Sequence, residues 1–303
     1  MLDRDVDPTV HRRRLRNILR HERESRGITQ NSAAEAMSWS LSKLIRIETG
    51  SVTISVNDLK ALLAHYGLTA SDTVNDLIEM SKASRATSWL STYKGIASDV
   101  FLQFLGHEEA AIRSYSFQPI LVPGLLQTDE YATAVLRTIR GPKDTKRLDG
   151  LRELRIARQE KVFARTPALE LNYLLDESVV RRAVGGRTIM KNQINHLIDS
   201  YQRDDISIRI IPFSMGMYRS IRVPYVVLEF RNPTDNPILY LEHPQREALI
   251  REDGPIDQHD AEVDPGDPTS PPTYLQIFTE LREHTSEVQT LQILEGALAE
   301  MDS

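Results

Sequence analysis

The residues whose types and spacing best favour a chemical role lie between positions 40 and 46. Lys43 and Arg46 can donate to the acceptors on the edge of guanine, and Leu41 offers apolar surface to the methyl group of thymine. These residue types therefore favour contact with DNA, provided that one helix presents them together. Leu41 and Ser42 are explained equally well as ordinary surface residues.

Patterns typical of catalysis are absent from the sequence. It has no Gly-rich phosphate loop, no nucleophile elbow and no His-Glu-x-x-His motif. The eight histidines have no ligand spacing, and without cysteine the chain has neither a disulfide framework nor a thiolate zinc site. We therefore expect no enzymatic activity, no cofactor and no metal site.

Charge is unevenly distributed along the chain. The net charge of the 303 residues is −6, but residues 1–70 hold eleven basic and eight acidic side chains. A basic N-terminal region on an acidic body lets DNA attract one end and repel the other.

The sequence has no apolar run long enough for a membrane span and no apolar signal core at its N-terminus, so we expect a cytoplasmic protein.

Helical periodicity and capping residues define the elements around positions 40 to 46. Thr29, Ser40 and Ser55 are suited to cap the helices that follow them. The predicted helices span residues 10–26, 30–37, 41–49 and 56–66. Two short helices with a tight turn, flanked by one helix on each side, form a helix-turn-helix arrangement.

The first helix contains seven arginines. They can contact phosphates or form a solvated face, and the sequence leaves both interpretations open.

Residues 30–49 resemble the helix-turn-helix core of the Cro and phage-repressor family, the XRE-like regulators. The resemblance rests on a glutamine at the start, a small residue in the first helix and apolar residues at fixed positions. In this chain they are Gln30, Ala34, Met37, Trp39, Leu44 and Ile47. One position departs from the family, because Ser38 stands where a left-handed backbone usually requires glycine.

The resemblance implies roles for individual residues. It implies a homodimer on double-stranded DNA, with Gln30 near the DNA backbone or a base and with DNA-binding residues opening the recognition helix. Those residues are Ser40, Leu41, Ser42, Lys43 and Arg46. Arg23 and Glu48 match the family's ion pair between the first and third helices, so the resemblance gives them a structural role.

The remaining residues predict an α+β domain after an all-α helix-turn-helix domain. We expect a DNA-binding domain at 10–70, a helical connector at 71–105 and an α+β effector or partner-binding domain at 106–303. Alternating apolar residues predict a small sheet of about four strands, which span 168–175, 206–212, 223–230 and 237–241. A helix is expected at 274–301.

The segment 252–272 has seven acidic residues, five prolines and no Lys or Arg. This composition is typical of a mobile loop, and the alternative is an acidic partner-binding segment.

The C-terminal region also resembles a known group, the antitoxin-like regulators of actinobacterial type. The resemblance is carried by residues 122–132, 174–177, 210–213 and 224–230, with Gly216 between the last two. It implies a transcription regulator whose C-terminal domain oligomerises or binds a small partner protein encoded nearby. The alternative is a small-molecule-sensing repressor with a pocket lined by Tyr173, Phe213, Tyr218 and Tyr225, although core packing explains these four aromatic residues equally well.

Overall fold

The chain folds as two compact units in a computed structural model. The structure describes residues 7–49, 52–141, 144–231, 235–242, 247–251, 254–255 and 270–302. One unit comprises Met1–Thr92 with Asn232–Asp235, and the other comprises Tyr93–Arg231 with Asn236–Ser303. The first is helical, whereas the second combines helices with a mixed sheet, so the predicted fold class is confirmed.

Five helices build the N-terminal unit. They are α1 (Pro8–Ser25), α2 (Gln30–Ala36), α3 (Leu41–Thr49), α4 (Val56–His65) and α5 (Ser71–Ala83). The hydroxyls of Thr29, Ser40 and Ser55 accept hydrogen bonds from backbone N–H groups three residues later, as their sequence positions predict. The helices close around one apolar core. It includes Leu15, Leu19, Ala33, Ala34, Leu44, Ile47, Leu59, Leu62, Leu63, Leu77 and Ile78.

The structure divides the segment 71–105, which the sequence treats as a connector, between the two units. Helix α5 packs Leu77 and Ile78 into the core of the N-terminal unit, together with Leu59 of α4. A 3-10 helix follows at Trp89–Tyr93, and α6 (Asp99–Glu108) belongs to the C-terminal unit. The N-terminal unit therefore ends where the apolar residues of α5 stop packing into its core.

Three helix ends in the N-terminal unit share one backbone motif. After α1 and after α4, glycines at 27 and 67 adopt φ values of 66° and 75°. After α2, Ser38 takes the same place with a φ of 53°. The hydrogen bonds Ser38 N–H to Glu35 O (2.9 Å) and Trp39 N–H to Ala34 O (2.8 Å) complete a Schellman motif. The left-handed backbone that the sequence predicted at Ser38 is thus present, although the residue carries a Cβ.

A seven-stranded mixed sheet forms the centre of the C-terminal unit. The strands are β1 (Ala111–Gln118), β2 (Glu170–Asp176), β3 (Ile206–Ile211), β4 (Tyr225–Phe230), β5 (Ile238–Glu242), β6 (Glu247–Arg251) and β7 (Gly254–Pro255). Their order is β3-β2-β1-β4-β5-β6-β7. The pairs β1–β2 and β2–β3 are parallel, and all others are antiparallel.

The helices of the C-terminal unit connect and cover this sheet. After α6 they are α7 (Asp129–Arg140), α8 (Thr145–Phe163), α9 (Ser178–Arg181), α10 (Arg187–Tyr201), α11 (Pro271–Glu283) and α12 (Glu287–Asp302). Helix α11 buries Tyr274 and Phe278 in an apolar cluster with Phe117 of β1 and Tyr225 of β4. The Tyr225 and Tyr274 rings meet edge to face, with centroids 4.8 Å apart.

Two predictions for this unit differ from the structure, and a third concerns residues that the structure mostly does not describe. The predicted sheet of about four strands omits β1, β6 and β7, and β1 is a central strand that buries Ser114 and Ser116 on one face and Phe117 on the other. The predicted helix at 274–301 was wrong, because α11 and α12 are separated at residues 284–286. Most of the acidic segment 252–272 lies outside the described residues; within it, β7 and the start of α11 are described.

We expect Ser38→Gly to raise the free energy of unfolding by about 0.5–1 kcal/mol. The left-handed backbone costs serine roughly 1–2 kcal/mol, and the greater freedom of glycine in the unfolded chain offsets part of that gain. Urea denaturation measures the change. Ser32→Gly, in the middle of α2, is the matched control and should lower stability by about 0.5–1 kcal/mol. A loss of stability in both variants would contradict the strain at Ser38.

Candidate nucleic-acid interface

Helix α3 has one buried face and one exposed face. Leu44 and Ile47 are buried in the core of the N-terminal unit, and Glu48 is buried beside them. At 100° per residue these three positions lie within one arc of the helix. The opposite arc therefore carries every residue of α3 that can reach a ligand.

A buried hydrogen-bonded network fixes the last turn of α3. Arg23 of α1 binds Glu48 through two bonds, Nε to Oε1 at 2.6 Å and Nη2 to Oε2 at 3.0 Å. Both side chains are almost completely buried, with exposed fractions of 7% and 3%. Gln30, the first residue of α2, donates its amide to Glu48 Oε2 at 2.8 Å. One carboxylate thus joins three helices, in the structural role that the sequence gives to Arg23 and Glu48.

The same network has consequences for protonation and for Gln30. The hydrogen bonds that Arg23 donates to Glu48 raise the pKa of Arg23, so its guanidinium stays charged. Burial, followed by the nearby charge of Glu48, raises the pKa of Tyr66 to about 12. The amide nitrogen of Gln30 is engaged with Glu48, which leaves its carbonyl oxygen and backbone for the predicted DNA contact.

The arginines of α1 divide into buried and exposed side chains. Arg13, Arg16 and Arg23 are buried, with exposed fractions of 3%, 7% and 6%. Arg16 donates to the backbone oxygen of Thr49, at the end of α3, at 2.8 Å. These three arginines therefore serve the packing of the N-terminal unit, whereas Arg20 remains exposed.

Lys43 lies against α4 and the turn before α3. Its Nζ is 3.2 Å from Asp58 Oδ2 and 4.0 Å from the centroid of the Trp39 ring. Both charged side chains are more than one third exposed, so solvent weakens this ion pair to less than about 1 kcal/mol. Any contact of Lys43 with DNA would therefore compete with these two partners.

The exposed arc of α3 contains four of the predicted DNA-binding residues, together with Ile45, for which the sequence predicted no role. Ser40 caps the helix, and Leu41, Ser42 and Arg46 are exposed on it. Ile45, which has an exposed fraction of 37%, lies between Leu41 and Arg46 on this surface. The sequence signal for Ile45 was its helical offset from the buried Leu44 and Ile47.

The aromatic pocket proposed for the C-terminal unit is not formed. Leu174 is buried under α11 with Phe117 and Tyr225, and Tyr173 precedes it on β2, so Tyr173 faces the other side of the sheet. Phe213 has an exposed fraction of 58%. The four aromatic residues therefore do not line one cavity.

The C-terminal unit does contain a cavity and a buried ion pair elsewhere. The cavity, of about 330 Å³, lies between α7 and α8 and is lined by both apolar and charged side chains, including Leu136, Arg137 and Asp149. Arg158 binds Glu108 through two bonds of 2.7 Å. Within the described ranges, no group of histidines and carboxylates is placed to hold a metal ion.

We expect Glu48→Ala to lower the free energy of unfolding by about 3–5 kcal/mol, because it leaves the buried Arg23 without its charged partner. DNA binding should weaken as well, because α3 loses its fixed position. Urea denaturation and a binding titration measure the two effects. Glu24→Ala is the matched control, since Glu24 also contacts Arg23 but is 51% exposed. It should cost less than about 1 kcal/mol. Equal losses in the two variants would contradict this role of Glu48.

Comparison with known proteins agrees with the division into two units. A helix-turn-helix domain model matches residues 14–75, so the N-terminal unit is the DNA-binding domain of a regulator. No helix in the part of the chain that the structure describes is long and apolar enough to cross a membrane. No curated protein and no solved structure matches the chain significantly. A second model, the domain of unknown function (DUF5753), matches residues 101–265, more than half of the chain, and the chain belongs to this family.

Proposed function

We propose that this chain is a sequence-specific transcription regulator that binds double-stranded DNA as a homodimer through α3. The observation that carries the proposal is the exposed arc of α3, which bears Arg46 and two serines. On the buried side of the helix, the hydrogen bonds of Glu48 hold α3 in place. A rigid helix with donors at its start is what the major groove accommodates. We propose a cytoplasmic binding protein, not an enzyme.

Arg46 is the principal reader of sequence in this proposal. Its side chain is exposed, and within the described residues its guanidinium has no hydrogen bond or ion pair. A free guanidinium can form two bonds to the O6 and N7 atoms of guanine without first losing a protein partner. Lys43 already contacts Asp58 and Trp39, which would compete with a base contact, so we assign it the smaller part.

We propose that the C-terminal unit binds a partner protein. In an antitoxin-like regulator, this unit binds a small protein and DNA binding serves autoregulation. Phe213 and Met217 support such a role, because 58% and 80% of these apolar side chains is exposed in the loop between β3 and β4. Two large apolar side chains exposed four residues apart in one loop favour protein contact.

We expect Arg46→Ala to weaken binding to the selected operator by about 1–3 kcal/mol while the protein stays folded. The operator is first selected from a random duplex library with the full chain, and affinity is then measured for the operator and for a scrambled duplex. Lys82→Ala is the charge-matched control, since Lys82 lies on α5 in an exposed pair with Glu79. It should leave the ratio of the two affinities unchanged. Retention of that ratio in Arg46→Ala would overturn the assignment.

We expect the double variant Phe213→Ser and Met217→Ser to lose its small partner protein. The measurement is co-purification of the chain with the product of the adjacent small reading frame, expressed together. Ile139→Ser is the matched control, because Ile139 is 63% exposed on α7 and should retain the partner. Binding that survives in the double variant would contradict the proposed surface, and no binding by the unmodified chain would contradict the antitoxin-like part of the proposal.

A further inference from the structure

The exposed arc of α3 has an apolar edge and a polar edge. At 100° per residue, Leu41 and Ile45 lie within 40° of each other, and Ser42 and Arg46 continue the arc on one side. All four side chains are exposed, whereas Leu44 and Ile47 are buried on the opposite arc. The helix therefore presents two different chemistries side by side to the same ligand.

The apolar edge is unusual within its unit. Leu41 and Ile45 have exposed fractions of 42% and 37%, and they are the large apolar side chains that remain exposed in the described part of residues 1–92. Every other leucine or isoleucine there is buried or half-buried. Since more than one third of each side chain is accessible, their pairing on the exposed arc of α3 points to a contact surface.

The charges around this edge favour DNA as the occupant. Lys43 lies on the far side of α3 with Asp58, so it does not interrupt the apolar edge. Glu48 is buried with Arg23, and α3 has no other acidic residue, so its exposed arc has no negative charge. Arg46, at the polar edge, supplies a cation. A surface that combines one cation with apolar groups and no carboxylate is compatible with the floor of the major groove.

One group in the major groove matches the apolar edge. Among the four bases only thymine presents an apolar group there, its C5 methyl. Residues one turn apart on a helix are separated by about 6 Å along its axis. Successive bases of one strand are about 3.4 Å apart, so Leu41 and Ile45 span about two base-pair steps.

We infer that Leu41 and Ile45 read the C5 methyl groups of two thymines in each half-site, beside the base contacted by Arg46. This inference rests on the proposed function, since it specifies what the α3 surface recognises. It adds Ile45 to the predicted DNA-binding residues and gives Leu41 a defined target. It predicts a half-site in which thymines follow one another within two base-pair steps.

The experiment replaces single thymines with deoxyuridine in the operator selected by the full chain. Uracil keeps the pairing with adenine and removes only the C5 methyl. Loss of one buried methyl should weaken binding about fourfold at each of two positions per half-site. Leu41→Ala should abolish the sensitivity at one position, and Ile45→Ala at the other. Arg46→Ala should keep both sensitivities, and so should the control Ile139→Ala.

Distinct outcomes separate this inference from the proposed function. An operator without thymine, or one in which no uracil substitution changes affinity, overturns the inference while the proposed function stands. Sensitivity that persists unchanged in both Leu41→Ala and Ile45→Ala also overturns it. Failure of the chain to enrich any sequence from the random library overturns the proposed function itself. Thermal unfolding of each variant verifies the fold, and the uracil scan with the unmodified chain tests the methyl contact even if a variant fails to fold.

Discussion

The buried carboxylate of Glu48 is the constraint on which the DNA-binding unit depends. It accepts hydrogen bonds from Arg23 on α1 and Gln30 on α2, while its own backbone belongs to α3. A buried charge is tolerated only when it is paired and hydrogen-bonded, so the three helices must keep one arrangement. The position of α3 is thus set at its last turn, which also carries Arg46, while Ser40, Leu41 and Ser42 lie at the other end of the same helix.

The turn between α2 and α3 provides the second constraint. Trp39 closes a Schellman motif through its bond to Ala34, which forces Ser38 into the left-handed region. The Trp39 ring in turn lies against the ammonium group of Lys43. The strained residue and the stacked lysine therefore belong to one local structure, which sets the angle at which α3 leaves the turn.

The sequence predicted the features that depend on local chemistry. Caps such as Thr29 and Ser55, and the left-handed position at Ser38, follow from residue type within a few positions, and the structure contains them. Strand β1 was missed because it buries Ser114 and Ser116 on one face and Phe117 on the other, so its sequence lacks apolar alternation. The pairing of Lys43 with Asp58 joins residues fifteen positions apart on different helices, and no local pattern contains that information.

The same reasoning explains why Ile45 was missed in the sequence and is informative in the structure. An isoleucine between Leu44 and Ile47 reads as another core residue, because helical periodicity tolerates a wide apolar stripe. Its exposure becomes evident only when Leu44, Ile47 and Glu48 are seen to fill the inward arc completely. More than one third of Ile45 is accessible, so part of its apolar surface meets solvent or a ligand beside Leu41. The helix register that buries Leu44, Ile47 and Glu48 therefore also decides which side chains α3 exposes.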